Sequence, residues 1–238
     1  MAQAIVGGGA SEHFLELAAE ERAALVYLSA TLNAEPALCS GALVSERWIL
    51  TAAHCEPILD GDALQIGHEA GSLGAVQKRV VHPTLDLMLV QLTAAASHVQ
   101  PLAWRGDDDA PTIGSRVELA GFGTDRVAAG KLRFAPARVT ADDDAGTLTV
   151  EGVGESGACD GDSGGPLLQR IASGGVGVLG VLSNGSQSCT GFDAYTLTAD
   201  PRADAWLRAQ LGAPLQAPRP PDGDHDAGTC SATDTPSE

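Results

Sequence analysis

The sequence predicts an all-β protein, on three observations. Short β-branched or leucine-rich runs recur from about residue 25 to residue 200, clusters of Gly, Asp, Ser and Pro separate them, and helical patterning is confined to two stretches. The first stretch, Glu16 to Leu25, is rich in Ala, Glu and Leu and predicts a short helix ahead of the first strand. Leu43-Val44, Trp48-Ile49-Leu50, Leu87-Met88-Leu89-Val90, Leu148-Thr149-Val150 and Val176-Gly177-Val178-Leu179-Gly180-Val181 then read as strands. The second helix is better marked. Asp200 stands as its N-cap, Pro201 at its first position, and Ala205, Trp206 and Leu207 form an apolar side before Gly212 stops it. Over residues 213–238 prolines mix with Asp, Gly, Ser and Thr, and large apolar residues almost vanish, which predicts a disordered tail or linker.

With 44% hydrophobic residues in 238, the chain can bury a substantial core, and one all-β domain accommodates that length. Asp and Glu number 31 against 14 Lys and Arg, a formal charge of -17 with no basic cluster, which argues against nucleic acid and against an anionic membrane surface. No apolar run approaches the roughly 18 residues of a membrane span, so no membrane insertion is expected. Residues 1–9 carry neither the positive nor the apolar region of a secretory signal. Cys39 and Cys55 flank one segment, Cys159 and Cys189 another, and Cys230 is left over. The absence of a Cys-x-x-Cys pair removes the zinc-ribbon and thioredoxin readings. Asp222-Gly223-Asp224-His225-Asp226 alternates carboxylates like a calcium loop, but Ala227 replaces the turn glycine and the final Glu ligand is missing. Neither a metal nor a cofactor is expected.

The chemistry concentrates in Cys159-Asp160-Gly161-Asp162-Ser163-Gly164-Gly165-Pro166-Leu167. A serine hydroxyl is a weak nucleophile near neutral pH and needs a base in hydrogen-bond reach and donors for the oxyanion that forms on attack. Glycines around Ser163 let backbone N–H groups converge without side-chain clashes. In Thr51-Ala52-Ala53-His54-Cys55 an apolar strand ends in small residues and then His54, a base that titrates near physiological pH. Asp86, at the mouth of the run Leu87 to Leu92, can fix the imidazole tautomer and stabilise its protonated form. Taken singly, each residue has an ordinary structural role; the remaining histidines, His13, His68, His82, His98 and His225, keep that reading.

Chain order discriminates among serine hydrolases. Gly161-Asp162-Ser163-Gly164-Gly165 fits the elbow of α/β-hydrolases, but that fold places its base after the nucleophile, where only His225 of the tail stands. A subtilisin order needs an Asp before His54, and none precedes it. The order His54, Asp86, Ser163 remains.

These residues resemble the trypsin/chymotrypsin-like serine endopeptidases. The likeness runs through Ile5-Val6-Gly7-Gly8, Cys39 to Val44, Trp48 to Cys55, Asp86 to Val90, Gly121-Phe122-Gly123 and Gly161 to Leu167, with Trp206 in the last helix, and it spans about residues 5 to 212. It implies two packed six-stranded antiparallel β-barrels with the site between them, the first supplying His54 and Asp86 and the second Ser163. It further implies an oxyanion hole from the N–H groups of Gly161 and Ser163, disulfides Cys39–Cys55 and Cys159–Cys189, and hence an oxidising, extracytoplasmic compartment. Cys230 is then a truncation scar, an intermolecular link or a free thiol.

Ile5 resembles the residue whose α-ammonium, freed by proteolysis, pairs with the carboxylate before the nucleophile, here Asp162. Residues 1–4 then read as a leader or propeptide remnant, or as an expression remnant, and the Ala4-Ile5 junction departs from the usual cut after Arg or Lys. Six residues before Ser163, where trypsins carry the Asp of the specificity pocket, stands Gly157, followed by Ala158; Asp160 is placed with them among the substrate-binding residues. Phe192-Asp193-Ala194-Tyr195-Thr196 resembles the family's pocket wall with Asp193 in place of a glycine, so a relocated carboxylate can still receive Arg or Lys. Ser183-Asn184-Gly185 takes the place of the strand that pairs with substrate backbone, and a glycan on Asn184 is rejected because it would obstruct substrate. His82-Pro83 lies unusually close to Asp86, and no acidic metal loop follows Gly67. The implied partners are protein or peptide substrates, an activating protease and proteinaceous inhibitors, with the chain itself a monomer. A catalytically silent binding module of the same fold is the competing expectation.

Overall fold

The structure is a computed structural model that describes residues 5–104, 111–123, 130–143, 145–171 and 175–213. The leader residues 1–4, Cys230 and the calcium-like stretch of the tail lie outside them.

Seven strands form the first unit: β1 (Leu25–Leu32), β2 (Glu35–Ser45), β3 (Trp48–Thr51), β4 (Asp62–His68), β5 (Gly71–Ser72), β6 (Val76–Val81) and β7 (Met88–Leu92). They hydrogen-bond in the order β5-β4-β1-β2-β3-β7-β6, a curved half-barrel. The β1–β2 hairpin turns on Asn33-Ala34, both with positive φ (50° and 68°), the geometry whose twist matches that of the flanking strands.

The second unit holds β8 (Ala103–Trp104), β9 (Arg116–Gly121), β10 (Arg133–Asp142), β11 (Thr147–Gly152), β12 (Pro166–Arg170), β13 (Val176–Gly185) and β14 (Phe192–Leu197). Its order is β12-β9-β10-β11-β14-β13-β8, and an extra β12–β13 pairing closes six of these strands into a barrel. The short strand β8 adds to β13 in parallel. The all-β reading holds, with one barrel closed and the other open.

Two α-helices complete the architecture of the described residues. The first, α1 (Ala19–Arg22), is a single turn, shorter than the helix expected over Glu16 to Leu25. Ala24, Leu25 and Val26 are fully buried and Leu25 already pairs with Ala42, so sheet pairing overrides the local helical composition. The second, α2 (Pro201–Leu211), matches its expected signals: the Asp200 side chain accepts from the N–H groups of Arg202 and Ala203, Pro201 opens the first turn, and Gly212 ends the helix at φ 86°.

One apolar core fills the half-barrel and continues across the seam through Phe122, Phe134 and Val178 to Ala203 and Leu207 of α2. The other lies within the closed barrel, where Ile5 joins Val117, Leu119, Val150, Leu167 and Tyr195. The seam between the units is where the chemistry-bearing residues meet. His54 and Asp86 arrive from the half-barrel, Ser163 from the β11–β12 connection, and the expected disulfides Cys39–Cys55 and Cys159–Cys189 are both formed.

The Cys159–Cys189 bond closes a sequence separation of 30, and constraining a loop of that length in the unfolded chain stabilises by about 3.6 kcal/mol. The double variant Cys159→Ser, Cys189→Ser is therefore expected to lower the unfolding free energy by that amount, seen as a lower denaturant midpoint with a slope at least as steep as the parent's. An unaltered midpoint would show that this bond does not brace the barrel.

Candidate active site

β3 ends at Thr51, Ala52 stays extended, and a 3-10 helix over Ala53–Asp60 turns His54 out towards the seam. Cys55, the next residue, is buried and bonded to Cys39 of β2, which pins the base of this helix to the sheet. Asp86 closes on His54 with both carboxylate oxygens: Oδ1 accepts the His54 backbone N–H at 2.9 Å and Oδ2 lies 2.8 Å from Nδ1. The Ser183 hydroxyl donates to the same Oδ2 at 2.6 Å. Burial pushes the Asp86 carboxyl up, but the His54 ring, the Ser183 hydroxyl and the His54 N–H outweigh it and leave it below the ordinary carboxylate range. The hydrogen bond to Asp86 raises the His54 pKa, with partial burial working against it. Because an ionised carboxylate only accepts, the neutral ring carries its proton on Nδ1 and leaves Nε2 as a base.

Ser163 sits in a tight turn whose amides divide into two sets. Asp162 N–H bonds to Cys159 O at 3.0 Å, Gly164 N–H to Leu182 O at 2.8 Å and Gly165 N–H to Asp162 O at 2.8 Å. The N–H groups of Gly161 and Ser163 have no acceptor among the described residues. Gly161 and Gly164 hold this shape at φ 88° and 79°, and a side chain at Gly164 would also strike Thr51 and the Ser40 carbonyl. Across the seam, Ser40 N–H donates to the Ser163 carbonyl at 2.7 Å, while its hydroxyl donates to Gly161 O at 3.0 Å and accepts from Phe122 N–H at 2.9 Å. Thr51 in turn fixes the Ser40 carbonyl at 2.7 Å. Gly161 and His54 line one cleft of about 920 Å³, floored by Leu38, Pro57 and Ile58 and rimmed by Glu35 and Asp160. Among the described residues no hydrogen bond joins the Ser163 hydroxyl to His54, a contact that such sites commonly tighten only around substrate.

Asp162, 1% exposed, anchors the far side of the turn. Oδ2 accepts from the Ile5 nitrogen at 2.9 Å and from Cys159 N–H at 2.9 Å, and Oδ1 accepts from Gly123 N–H at 2.8 Å. Burial lifts this carboxyl to about 6 against the pull of those three donors, and the nearby charge of Asp193 adds to the lift. The Ile5 side chain is itself buried in the closed barrel, and Val6 pairs with Gly157 through both backbone groups.

Gly157 and Asp193 are buried neighbours: a Cβ built on Gly157 would stand 2.9 Å from the Cys189 carbonyl oxygen and 3.3 Å from Asp193 Oδ2. That oxygen accepts from Ala158 N–H at 2.9 Å, whereas the buried Oδ1 has no hydrogen-bond partner among the described residues. Burial raises the Asp193 carboxyl to about 6, offset in part by the Ala158 and Ser186 amides. Ser183 reaches the site through Asp86, and Asn184 and Gly185 continue β13 along an exposed rim. Asp160 stands exposed on the cleft. Cys39, His54 and Cys55 converge closely enough to suggest a metal centre, but both sulfurs are spent in the disulfide. His54, Asp86 and Ser183 are thus joined across the seam, whereas Ile5 lies in the core of the closed barrel and Gly157 and Asp193 are buried side by side in that unit. Ser40, Thr51 and Gly123, which hold the Ser163 turn and the Asp162 carboxylate, have no assignment from the sequence, although each stands inside one of the quoted motif runs.

Comparison with known proteins decides the family. The family model described as Trypsin matches residues 19–201. The chain belongs to the trypsin family. It is 29% identical to granzyme M of Rattus norvegicus over 224 residues, covering 78% of this chain and 84% of that one. It is 31% identical to serine protease SP24D of Anopheles gambiae over 195 residues, 68% of this chain and 70% of that one. In fold, the trypsin-family domain resembles the crystal structure of the scabies mite inactivated protease paralogue S-I1, with TM-score 0.67 at 18% identity over 86% of this chain and 98% of that one.

The Asp86 contact has a direct spectroscopic consequence. Followed by NMR, the His54 ring should titrate above its ordinary value of about 6.5, and Asp86→Asn should bring the midpoint down. A midpoint indifferent to Asp86→Asn would remove the carboxylate as the partner of the ring.

Proposed function

We propose that this trypsin-family domain is a secreted serine endopeptidase acting through an acyl-enzyme. The observation that carries the reading is an Asp86-held imidazole that lines one cleft with Gly161, whose amide and that of Ser163 in the same turn are both unbonded among the described residues. Ser163 Oγ attacks the scissile carbonyl while His54 Nε2 takes its proton, and the oxyanion settles on the Gly161 and Ser163 N–H groups. The intermediate collapses as His54 returns the proton to the leaving amine, leaving an ester on Ser163. Water, deprotonated by His54, then cleaves that ester and restores the hydroxyl. Each amide donor contributes about 3 kcal/mol of transition-state stabilisation. The two disulfides support an oxidising compartment.

Asp193, whose Oδ2 lies beside Gly157 and whose Oδ1 has no hydrogen-bond partner among the described residues, supports a preference for Arg or Lys at the residue before the scissile bond. Maturation frees the Ile5 nitrogen as an ammonium at the place where its N–H already meets Asp162. The bond to be cut follows Ala4, so an enzyme with a basic preference does not release its own amino terminus and needs a protease of different specificity. A second reading, a silent binding module, draws on the open Ser163–His54 contact and on the likeness to a fold relative described as inactivated.

The deciding experiment compares the oxidised protein beginning at Ile5 with its Ser163→Ala form. The former should label with a fluorophosphonate and hydrolyse Arg and Lys peptide anilides faster than Phe or Ala ones; the latter should do neither. Asp193→Gly should depress Arg turnover by tenfold or more, on the order of a lost charge-assisted hydrogen bond, and spare Phe. Absence of labelling leaves the binding-module reading in place.

Activation also carries a pH signature. In the uncut chain the raised carboxyl of Asp162 binds protons more tightly folded than unfolded, so its contribution to stability declines as pH climbs from about 4 through about 6. An ammonium on Ile5 reverses the sign by favouring the carboxylate. The melting temperature of the cut form should therefore pull ahead of the uncut form between about pH 4 and pH 7, and the lead should shrink at alkaline pH as the ammonium loses its proton. A constant difference across that range would mean that no ion pair forms.

A further inference from the structure

The short link before Asp86, set aside above as a departure from the family pattern, has a structural use. Only Pro83, Thr84 and Leu85 separate His82 from Asp86. In that space the chain folds into a closed turn, with His82 N–H donating to Leu87 O at 2.9 Å and Leu87 N–H to Leu85 O at 2.8 Å. The His82 ring fills the turn. Its Nδ1 accepts from Thr84 N–H at 3.1 Å and from Leu85 N–H at 2.9 Å, the two amides that immediately precede Asp86.

A nitrogen that accepts two N–H bonds carries no proton, so the His82 proton sits on Nε2. That atom faces the carbonyl of Arg202, in the first turn of α2, at 3.4 Å. Trp206, one turn further along α2, meets the ring edge-on with centroids 5.2 Å apart. The ring is 6% exposed and thus wedged between the Asp86 turn and the C-terminal helix. The charged groups nearby are occupied elsewhere: Asp86 binds His54 and Ser183, and the Arg202 guanidinium binds Asp200 and the Ala145 carbonyl.

We propose that His82 is a positioning residue: it holds the Asp86 carboxylate in register with His54 and ties that register to α2. Both Asp86 oxygens are committed to His54 at 2.8 and 2.9 Å, an arrangement that a shift of the turn breaks at once. Displacements of about 1 Å at a reacting group cost on the order of a hundredfold in rate. The turn hangs from the His82 imidazole by two amides, and without an acceptor there these amides are left unpaired beside a buried ring. The inference rests on the proposed peptidase reading for its kinetic consequences, but its structural core is testable without turnover.

The test contrasts two amides. The Asn side-chain oxygen falls near the place of the imidazole Nδ1 and can accept from Thr84 and Leu85, whereas Gln reaches towards Nε2 and Arg202. In the Ser163→Ala protein, the NMR titration of His54 should stay close to that of the parent in His82→Asn and should fall towards the ordinary value of about 6.5 in His82→Gln. In the active protein starting at Ile5, His82→Gln should lower kcat about 10–100-fold with KM within about twofold, and His82→Asn should recover most of kcat. As a check that leaves His82 seated on Trp206, insertion of Gly-Gly between Pro83 and Thr84 should reproduce the Gln result. Equal His54 titrations in the Asn and Gln variants, or an unmoved titration in the insertion variant, would overturn the assignment. If the parent turns over nothing, the peptidase reading fails, while the Ser163→Ala titrations still decide the role of His82.

Discussion

A carboxylate buried with no cation beside it is the constraint around which this molecule is organised. Asp162 is closed off from water, and the cost of charging it there is large enough to raise its carboxyl to about 6 despite three N–H donors. Those donors come from three separate parts of the chain: the amino-terminal segment at Ile5, the β9–β10 connection at Gly123, and the nucleophile turn itself at Cys159. Satisfying one side chain therefore fixes the position of all three segments. The turn that results has the amides of Asp162, Gly164 and Gly165 bonded and those of Gly161 and Ser163 left without an acceptor among the described residues. On the proposed reading, the oxyanion site is the unfilled remainder of the network that satisfies Asp162.

The seam between the two units needs a second set of ties, because His54 and Asp86 come from one side of it and Ser163 from the other. Ser40 supplies the most economical one. It stands in β2 of the half-barrel, beside a disulfide cysteine, yet its N–H and hydroxyl hold Ser163 O and Gly161 O of the opposite unit. Thr51, three residues before His54, holds the Ser40 carbonyl, so the strand that delivers the base also supports the residue that docks the nucleophile turn. The Ser183 hydroxyl makes the reciprocal connection from β13 of the closed barrel back to Asp86. Movement of either unit against the other disturbs several directional bonds at once, which suits a site whose reacting groups must keep their mutual geometry.

Legibility in the sequence followed the locality of the physics. The nucleophile turn, the base at a strand end and the α2 caps depend on residues near one another in the chain, and each was readable from its own motif. The α1 stretch was misjudged in length because its fate depends on Ala42 and Gly41 of β2, which claim Leu25 and Val26 for the sheet. The half-barrel was expected to close; closure depends on the reach of the short edge strand β5 and of β6, which no local pattern encodes. Ser40 and His82 went unassigned for the same reason. Each looks ordinary in its own segment, and only the partner some distance away, Gly161 or Arg202, reveals what it does. Gly157 and Asp193 were read as opposite walls of one pocket through family likeness alone, and the fold does set them side by side.

The segment Gly157-Ala158-Cys159 joins these networks. Gly157 pairs with Val6 behind Ile5, Ala158 N–H holds Asp193, and Cys159 N–H holds Asp162. Three consecutive residues thus carry the amino-terminal anchor, the pocket carboxylate and the buried carboxylate. The two acids feel one another, since the charge on Asp193 raises the Asp162 carboxyl. On the proposed reading each acid receives its own cation, the Ile5 ammonium at Asp162 and the substrate side chain at Asp193. Neutralising either carboxylate makes the other easier to ionise and so strengthens its ion pair. Binding free energies are reciprocal, so whatever a basic side chain in the pocket contributes to seating the amino terminus, the seated amino terminus returns to the pocket. On that reading, the departure from the family's pocket residue acts beyond specificity: a carboxylate at position 193 is coupled to the acid that receives the Ile5 ammonium.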